Sequence, residues 1–151
     1  IGAGIISGHK MLRGGFCNAG EVGMAFPSGT PRPSYKDLLA TLDREGFTEN
    51  QLPELIAEQH PLLESWFERC RGQVEQTVFG CVQWVDPQII VLGGVMPKPI
   101  ISRLVEELNQ RLETRFDPNR PRVRLAASSM GVQSASRGAA MIPLYQVINE
   151  G

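Results

Sequence analysis

The stretch from Pro61 to Val85 constrains this chain more than any other. Leu63, Trp66, Phe67, Cys70, Val74, Thr77, Val78, Cys81 and Val85 recur at steps of three and four, the spacing that places side chains on one face of an α-helix. A helix with so long an apolar stripe must bury it, so the rest of the chain has to supply a packing surface. Gly72 and Gly80 lie inside the same stretch and cost roughly 1 kcal/mol each relative to Ala. Such a cost predicts close approach of another backbone at those positions.

The residues after the stripe decide the fold class. Asp86-Pro87 breaks the helix, and Gln88-Ile89-Ile90-Val91-Leu92 reads as a buried strand ending in Gly93-Gly94. Pro97 opens a helix whose apolar face is Ile101, Leu104, Val105, Leu108 and Leu112. Pro118 and Pro121 bracket a loop, Val123-Arg124-Leu125-Ala126 forms a short strand, and Ser134 or Ser136 starts a last helix through Ile148. Strand, helix, strand, helix predicts a parallel crossover unit. The expected class is α/β, with a mixed sheet and helices on both of its faces, in a single domain over 1–151.

Before the stripe the chain is less regular. Ile1-Gly2-Ala3-Gly4-Ile5-Ile6 reads as a strand, and Ser7-Gly8-His9-Lys10 as a tight turn into Met11-Leu12. A strand pattern already running at Ile1 reads as a fragment cut from a longer chain. Asn18-Ala19-Gly20-Glu21-Val22-Gly23 is a glycine-rich polar loop, and Pro27, Pro31 and Pro33 make the stretch from Phe26 irregular. Ser34 is an expected N-cap, with Asp37 completing a capping box; Leu38, Leu39 and Leu42 form the buried face, and Gly46 ends the helix. Thr48 caps a second short helix through Ile56, with Pro53 in its first turns.

Composition narrows the function classes. Fifteen basic against sixteen acidic residues give a net charge of −1, which supplies no field for gripping nucleic acid. Three scattered cysteines, Cys17, Cys70 and Cys81, make no disulfide framework and point to a reducing, cytoplasmic setting. No apolar run reaches membrane-spanning length, so no membrane partner is expected. His9 and His60 face no nucleophile or metal partner in the sequence pattern. Trp66 and Phe67 are read as core, with a dimer contact as the alternative.

Three segments in order resemble the ROK family of repressors, uncharacterised members and sugar kinases. They are Ile1–Ile6 with Asn18–Gly23, then Asp86–Gly94, then Gly138-Ala139-Ala140. The resemblance implies the C-terminal lobe of the actin and hexokinase type of fold, which is ribonuclease H-like. It also implies a second lobe elsewhere, carrying the phosphate loop and the catalytic aspartate. In the family, the Glu of an E-x-G-H motif contacts sugar. This chain reads Glu21-Val22-Gly23-Met24, so Glu21 is the expected sugar-binding carboxylate and Asn18 its helper. A carboxylate accepts two hydrogen bonds from adjacent hydroxyls, and such charge-assisted bonds are strong. The motif His is Met24 here, and the family's zinc-binding cysteine cluster has no counterpart in Pro27–Pro33. Zinc is therefore not expected.

Gly2 and Gly4 fall at the family's second phosphate-binding element. From spacing alone, a tight hairpin is the simpler account of them. Gly93 and Gly94 lie where the kinases face adenosine and suit a strand-to-helix turn as well; Gly138 opens the final helix near the same cleft, where close packing is the simpler account. The expected function is the sugar-sensing part of a ROK-type transcriptional regulator. It would bind a sugar or sugar phosphate, form a homo-oligomer, and reach DNA only through an N-terminal domain outside this sequence. No catalytic residue is expected within these 151 residues. The alternative is the C-terminal lobe of a sugar kinase, in which case ATP and Mg²⁺ are its cofactors. A third reading is an assembly module acting through its helices.

Overall fold

The computed structural model describes residues 1–117, 119 and 122–150. Of the loop expected between Pro118 and Pro121, only Asn119 is among the described residues. The chain divides into two compact units, 1–80 and 81–151.

The first unit opens with an antiparallel hairpin, β1 (Ile5–Ser7) and β2 (Lys10–Leu12), in which Ile5 faces Leu12 and Ser7 faces Lys10. Its two turn residues, Gly8 and His9, both have positive φ, 55° and 64°. That is the type I′ geometry whose twist suits a two-residue hairpin. After the polar loop and a 3₁₀ turn over Val22–Ala25 comes α1 (Tyr35–Arg44). Ser34 caps it, its hydroxyl accepting from the Asp37 N–H at 3.2 Å. The helix ends in a Schellman arrangement. Gly46, at φ 79°, donates to the Asp43 carbonyl, and Phe47 donates to the Leu42 carbonyl. Another 3₁₀ turn, Glu49–Gln51, leads into α2 (Leu52–Ala57). The Thr48 N–H donates to Gln51 Oε1 at 2.9 Å, as a capping box requires.

The expected capping box at Ser34 is not closed. The Asp37 carboxylate turns instead to α3 (Pro61–Val85), accepting from Trp66 Nε1 at 2.8 Å and from Arg69 Nη2 at 2.5 Å. Asp is one methylene shorter than Glu. A tryptophan N–H and a guanidinium offer this partly buried carboxylate better-matched donors than the exposed end of the helix does. Leu38, Leu42, Leu52, Leu55, Leu63, Trp66, Phe67, Cys70, Val74 and Val78 form the core. Trp66 and Phe67 are thus buried within the chain. The apolar stripe opens beyond Val78: Cys81 is half-buried and Trp84 is 87% exposed. Gly72 and Gly80 meet no approaching backbone, since a Cβ at either would find nothing within 4 Å. His60 is structural: its Nδ1 accepts from the Leu62 N–H at 3.3 Å, and its ring meets Phe47 edge-on.

Burial sets the thiol chemistry of this core. It pushes Cys70 up to about 12, with Arg69 opposing and Asp37 adding to the rise; burial raises Cys81 in the same direction, and Cys17 is exposed. Native protein treated with a chromogenic disulfide at pH 8 should label Cys17 rapidly and Cys70 only on unfolding. The folded state holds the Cys70 proton more tightly than a free thiol near 9.0 does. Its contribution to stability is therefore complete below that pH and is lost as pH rises towards 12. Rapid labelling of two thiols in folded protein would contradict this.

In the second unit, β3 (Ile89–Leu92) and β4 (Arg124–Ala127) pair in parallel, with Ile90 opposite Leu125, and α4 (Lys98–Arg115) runs between them. This is the parallel crossover that the sequence predicts. Ile100, Leu108, Leu112 and Leu125 are buried where α4 packs on β4. Of the expected α4 face, Ile101, Leu104 and Val105 are only half-buried. A 3₁₀ turn precedes α5 (Ser134–Glu150).

Two expectations are corrected. Among the described residues there are two separate two-stranded sheets in place of one mixed sheet. The Gln88–Leu92 segment is also not buried: Ile89 is 52% and Val91 57% exposed. A continuous apolar run reads the same whether one face or both are covered, and here that face is left bare. On α5, Met141, Ile142, Leu144, Val147 and Ile148 are likewise exposed. No helix among the described residues is long and apolar enough to cross a membrane.

Candidate functional site

The Asn18–Gly23 loop is laid along the segment before β1. Ala3 N–H donates to the Gly20 carbonyl at 2.8 Å, and Ala19 N–H donates to Arg13 O at 3.1 Å. Gly20 makes the contact possible. Its φ is 92°, and a Cβ there would lie 2.2 Å from the Ala3 carbonyl oxygen. Only glycine combines that backbone with that approach. Gly23 permits a second close approach three residues later, on ordinary backbone: it is buried, and a Cβ would come within 2.8 Å of Ile1 O.

Glu21 stands between these two glycine contacts. Its N–H donates to Asn18 O at 3.1 Å, and its carbonyl accepts from the Met24 N–H at 3.0 Å, so its backbone is fixed on both sides. Its side chain is exposed. Among the described residues the carboxylate has no hydrogen-bond or ion-pair partner. Asn18 is exposed too and joins the site through its carbonyl. Met24, where the resembled motif has His, is 78% exposed. A Cβ added at Gly2 or Gly4 would meet nothing within 4 Å, and the hairpin turns elsewhere, at Gly8-His9. Local packing therefore does not account for these two glycines; they leave a length of backbone bare beside the loop that carries Glu21.

One residue of this neighbourhood is missed by sequence reasoning. Arg32 Nη1 lies 3.4 Å from where a Gly23 Cβ would sit. The available signal is the run Pro31-Arg32-Pro33, a cation set between two prolines.

The remaining candidate residues belong to the second unit. Gly93 and Gly94 follow β3 at the carboxyl end of the parallel pair, where open α/β sheets place ligands. Gly93 is required sterically, because a Cβ would come within 2.7 Å of Ser128 Cβ. Gly94 has φ 124°. Gly138, in α5, has nothing within 4 Å. Among the described residues, no group of three or more His, Cys, Asp or Glu side chains is placed to hold a metal ion.

No protein-family model matches the chain. It is similar to an uncharacterized protein, y4fQ, of Sinorhizobium fredii (strain NBRC 101917 / NGR234), at 31% identity over 157 aligned positions. The alignment covers the whole of this chain but only 39% of that protein's length.

Proposed function

We propose that this chain is the C-terminal lobe of a two-lobed, ROK-type sugar-binding protein with the actin and hexokinase type of fold, serving as the effector-sensing part of a transcriptional regulator. The observation that carries the reading is the unpartnered Glu21 carboxylate, held by two glycine contacts beside the bare backbone of Gly2 and Gly4. Such a group is free to accept from two hydroxyls of a sugar. The exposed apolar residues of β3 and α5 support a protein in which further polypeptide covers them, and the relative is correspondingly longer than this chain. In this reading, sugar binding between two lobes shifts the population of a closed state, and closure alters an attached DNA-binding part. The protein acts in the cytoplasm as a homo-oligomer and uses no zinc.

Calorimetric titration of the full-length protein against a panel of sugars and sugar phosphates tests this. Glu21→Ala is expected to weaken sugar binding at least tenfold, with an unchanged thermal unfolding midpoint. Equal affinity in the variant would remove Glu21 from the site.

A second reading, a sugar kinase, is favoured by Gly93 and Gly94 at the carboxyl end of the parallel strands. ATP-dependent phosphorylation of a sugar by the full-length protein would decide for it.

A further inference from the structure

We infer that the ligand of this site is an anionic sugar, bearing a phosphate ester or a carboxylate, and that Arg32 reads the anion while Glu21 reads the hydroxyls. The role of Glu21 rests on the sugar-binding reading; the role of Arg32 stands on the arginine itself.

Arg32 is an exposed cation on a tethered stretch of backbone. It lies between Pro31 and Pro33, and a residue before proline is confined to extended backbone. Gln73 Nε2 on α3 donates to the Pro31 carbonyl at 2.7 Å, and Gln73 Oε1 accepts from Arg69 Nη1 at 3.3 Å. Arg69 in turn pairs with Asp37, which also holds Trp66 of the core. The backbone beside Arg32 is thus tethered through these side chains to the packed interior, in a stretch with no regular secondary structure of its own.

The guanidinium lies over Gly23, two positions from Glu21. A side chain at position 23 would crowd both Arg32 Nη1 and the Ile1 carbonyl, so the same glycine serves the loop contact and the arginine. Among the described residues Arg32 has no hydrogen-bond or ion-pair partner, in a chain with sixteen carboxylates. Glu21 is equally unpartnered although it stands nearby. Two opposite charges, each carried on hydrogen-bonded backbone and free at the side chain, can engage complementary groups of one ligand. A planar guanidinium fork matches the paired oxygens of a phosphate or carboxylate, and a carboxylate matches vicinal hydroxyls. A neutral sugar would use only the second group.

The test is calorimetric titration of the full-length protein with hexoses and N-acetylhexosamines, their 6-phosphates, the corresponding uronates, and inorganic phosphate alone. The expected result is an anionic sugar bound at least tenfold more tightly than its neutral parent. Arg32→Ala should abolish that preference while leaving affinity for the neutral parent within twofold; Arg32→Lys should restore part of it. The 6-phosphate and uronate arms show which anion is read. Neutral and anionic sugars binding equally, or a preference unchanged in Arg32→Ala, would overturn the inference and leave the sugar site intact. Arg32-dependent binding of inorganic phosphate without any sugar binding would keep the anion site and sink the sugar reading. If neither phosphate nor any sugar binds, both fail.

Discussion

Replacing Gly20 by alanine should weaken ligand binding more than removing the Glu21 carboxylate itself. The added methyl would sit 2.2 Å from the Ala3 carbonyl oxygen, and the backbone at φ 92° disfavours any L side chain. The conformational penalty alone is on the order of 1–2 kcal/mol. The overlap is with backbone, which cannot rotate out of the way, so the loop must lift from Ala3. Lifting breaks the hydrogen bond from Ala3 N–H to Gly20 O and displaces Glu21, Gly23 and the surface beneath Arg32 together. A loss of affinity of about a hundredfold corresponds to about 2.7 kcal/mol, which is within what a displaced loop removes. Calorimetry, paired with urea unfolding, reads both effects. Wild-type affinity in Gly20→Ala would show that the loop geometry has no part in binding.

The second large effect concerns stability. Asn109, on α4, makes both of its amide hydrogen bonds to one residue of β4. Leu125 N–H donates to Asn109 Oδ1 at 3.0 Å, and Asn109 Nδ2 donates to Leu125 O at 3.1 Å. Leu125 is almost completely buried. Asn109→Leu keeps the volume but leaves a backbone donor and acceptor without partners, at about 1–3 kcal/mol for each unsatisfied group. The expected loss of about 2–6 kcal/mol would appear as a lower urea midpoint at unchanged slope. A loss below about 0.5 kcal/mol, the range of an ordinary surface change, would mean that water replaces the amide. Asn109→Asp separates the two bonds, since a carboxylate accepts from Leu125 N–H but cannot donate to its carbonyl.

Elements with a strong local signal were readable from sequence. The α3 stripe set its bounds, Gly8-His9 set the hairpin, and Asp86-Pro87 followed by an apolar run set the start of the crossover. Features that depended on pairs of residues distant in sequence were not readable. Asp37 looked like a capping residue because its neighbour at three positions was visible and its partners Trp66 and Arg69, about thirty positions on, were not. Asn109 lay on a helix among other polar residues, with nothing to mark that it faces a strand sixteen positions on. In the candidate site, Glu21 and the glycines were legible through motif order. Arg32 was not, because its place depends on tertiary support from Gln73. The exposure of Ile89 and Val91 escaped for another reason: an apolar run states what a strand needs, and leaves open which polypeptide supplies it.

Asn109 also blunts one edge of the β3–β4 pair. Gln88 and Leu92 turn their carbonyls towards β4, accepting from Arg124 and Ser128, so the alternation of a parallel ladder directs the backbone groups of Ile89 and Val91 outward. The opposite flank is occupied at Leu125 by the asparagine amide. An added strand needs a row of unpaired backbone groups, and the asparagine interrupts that row on the β4 side.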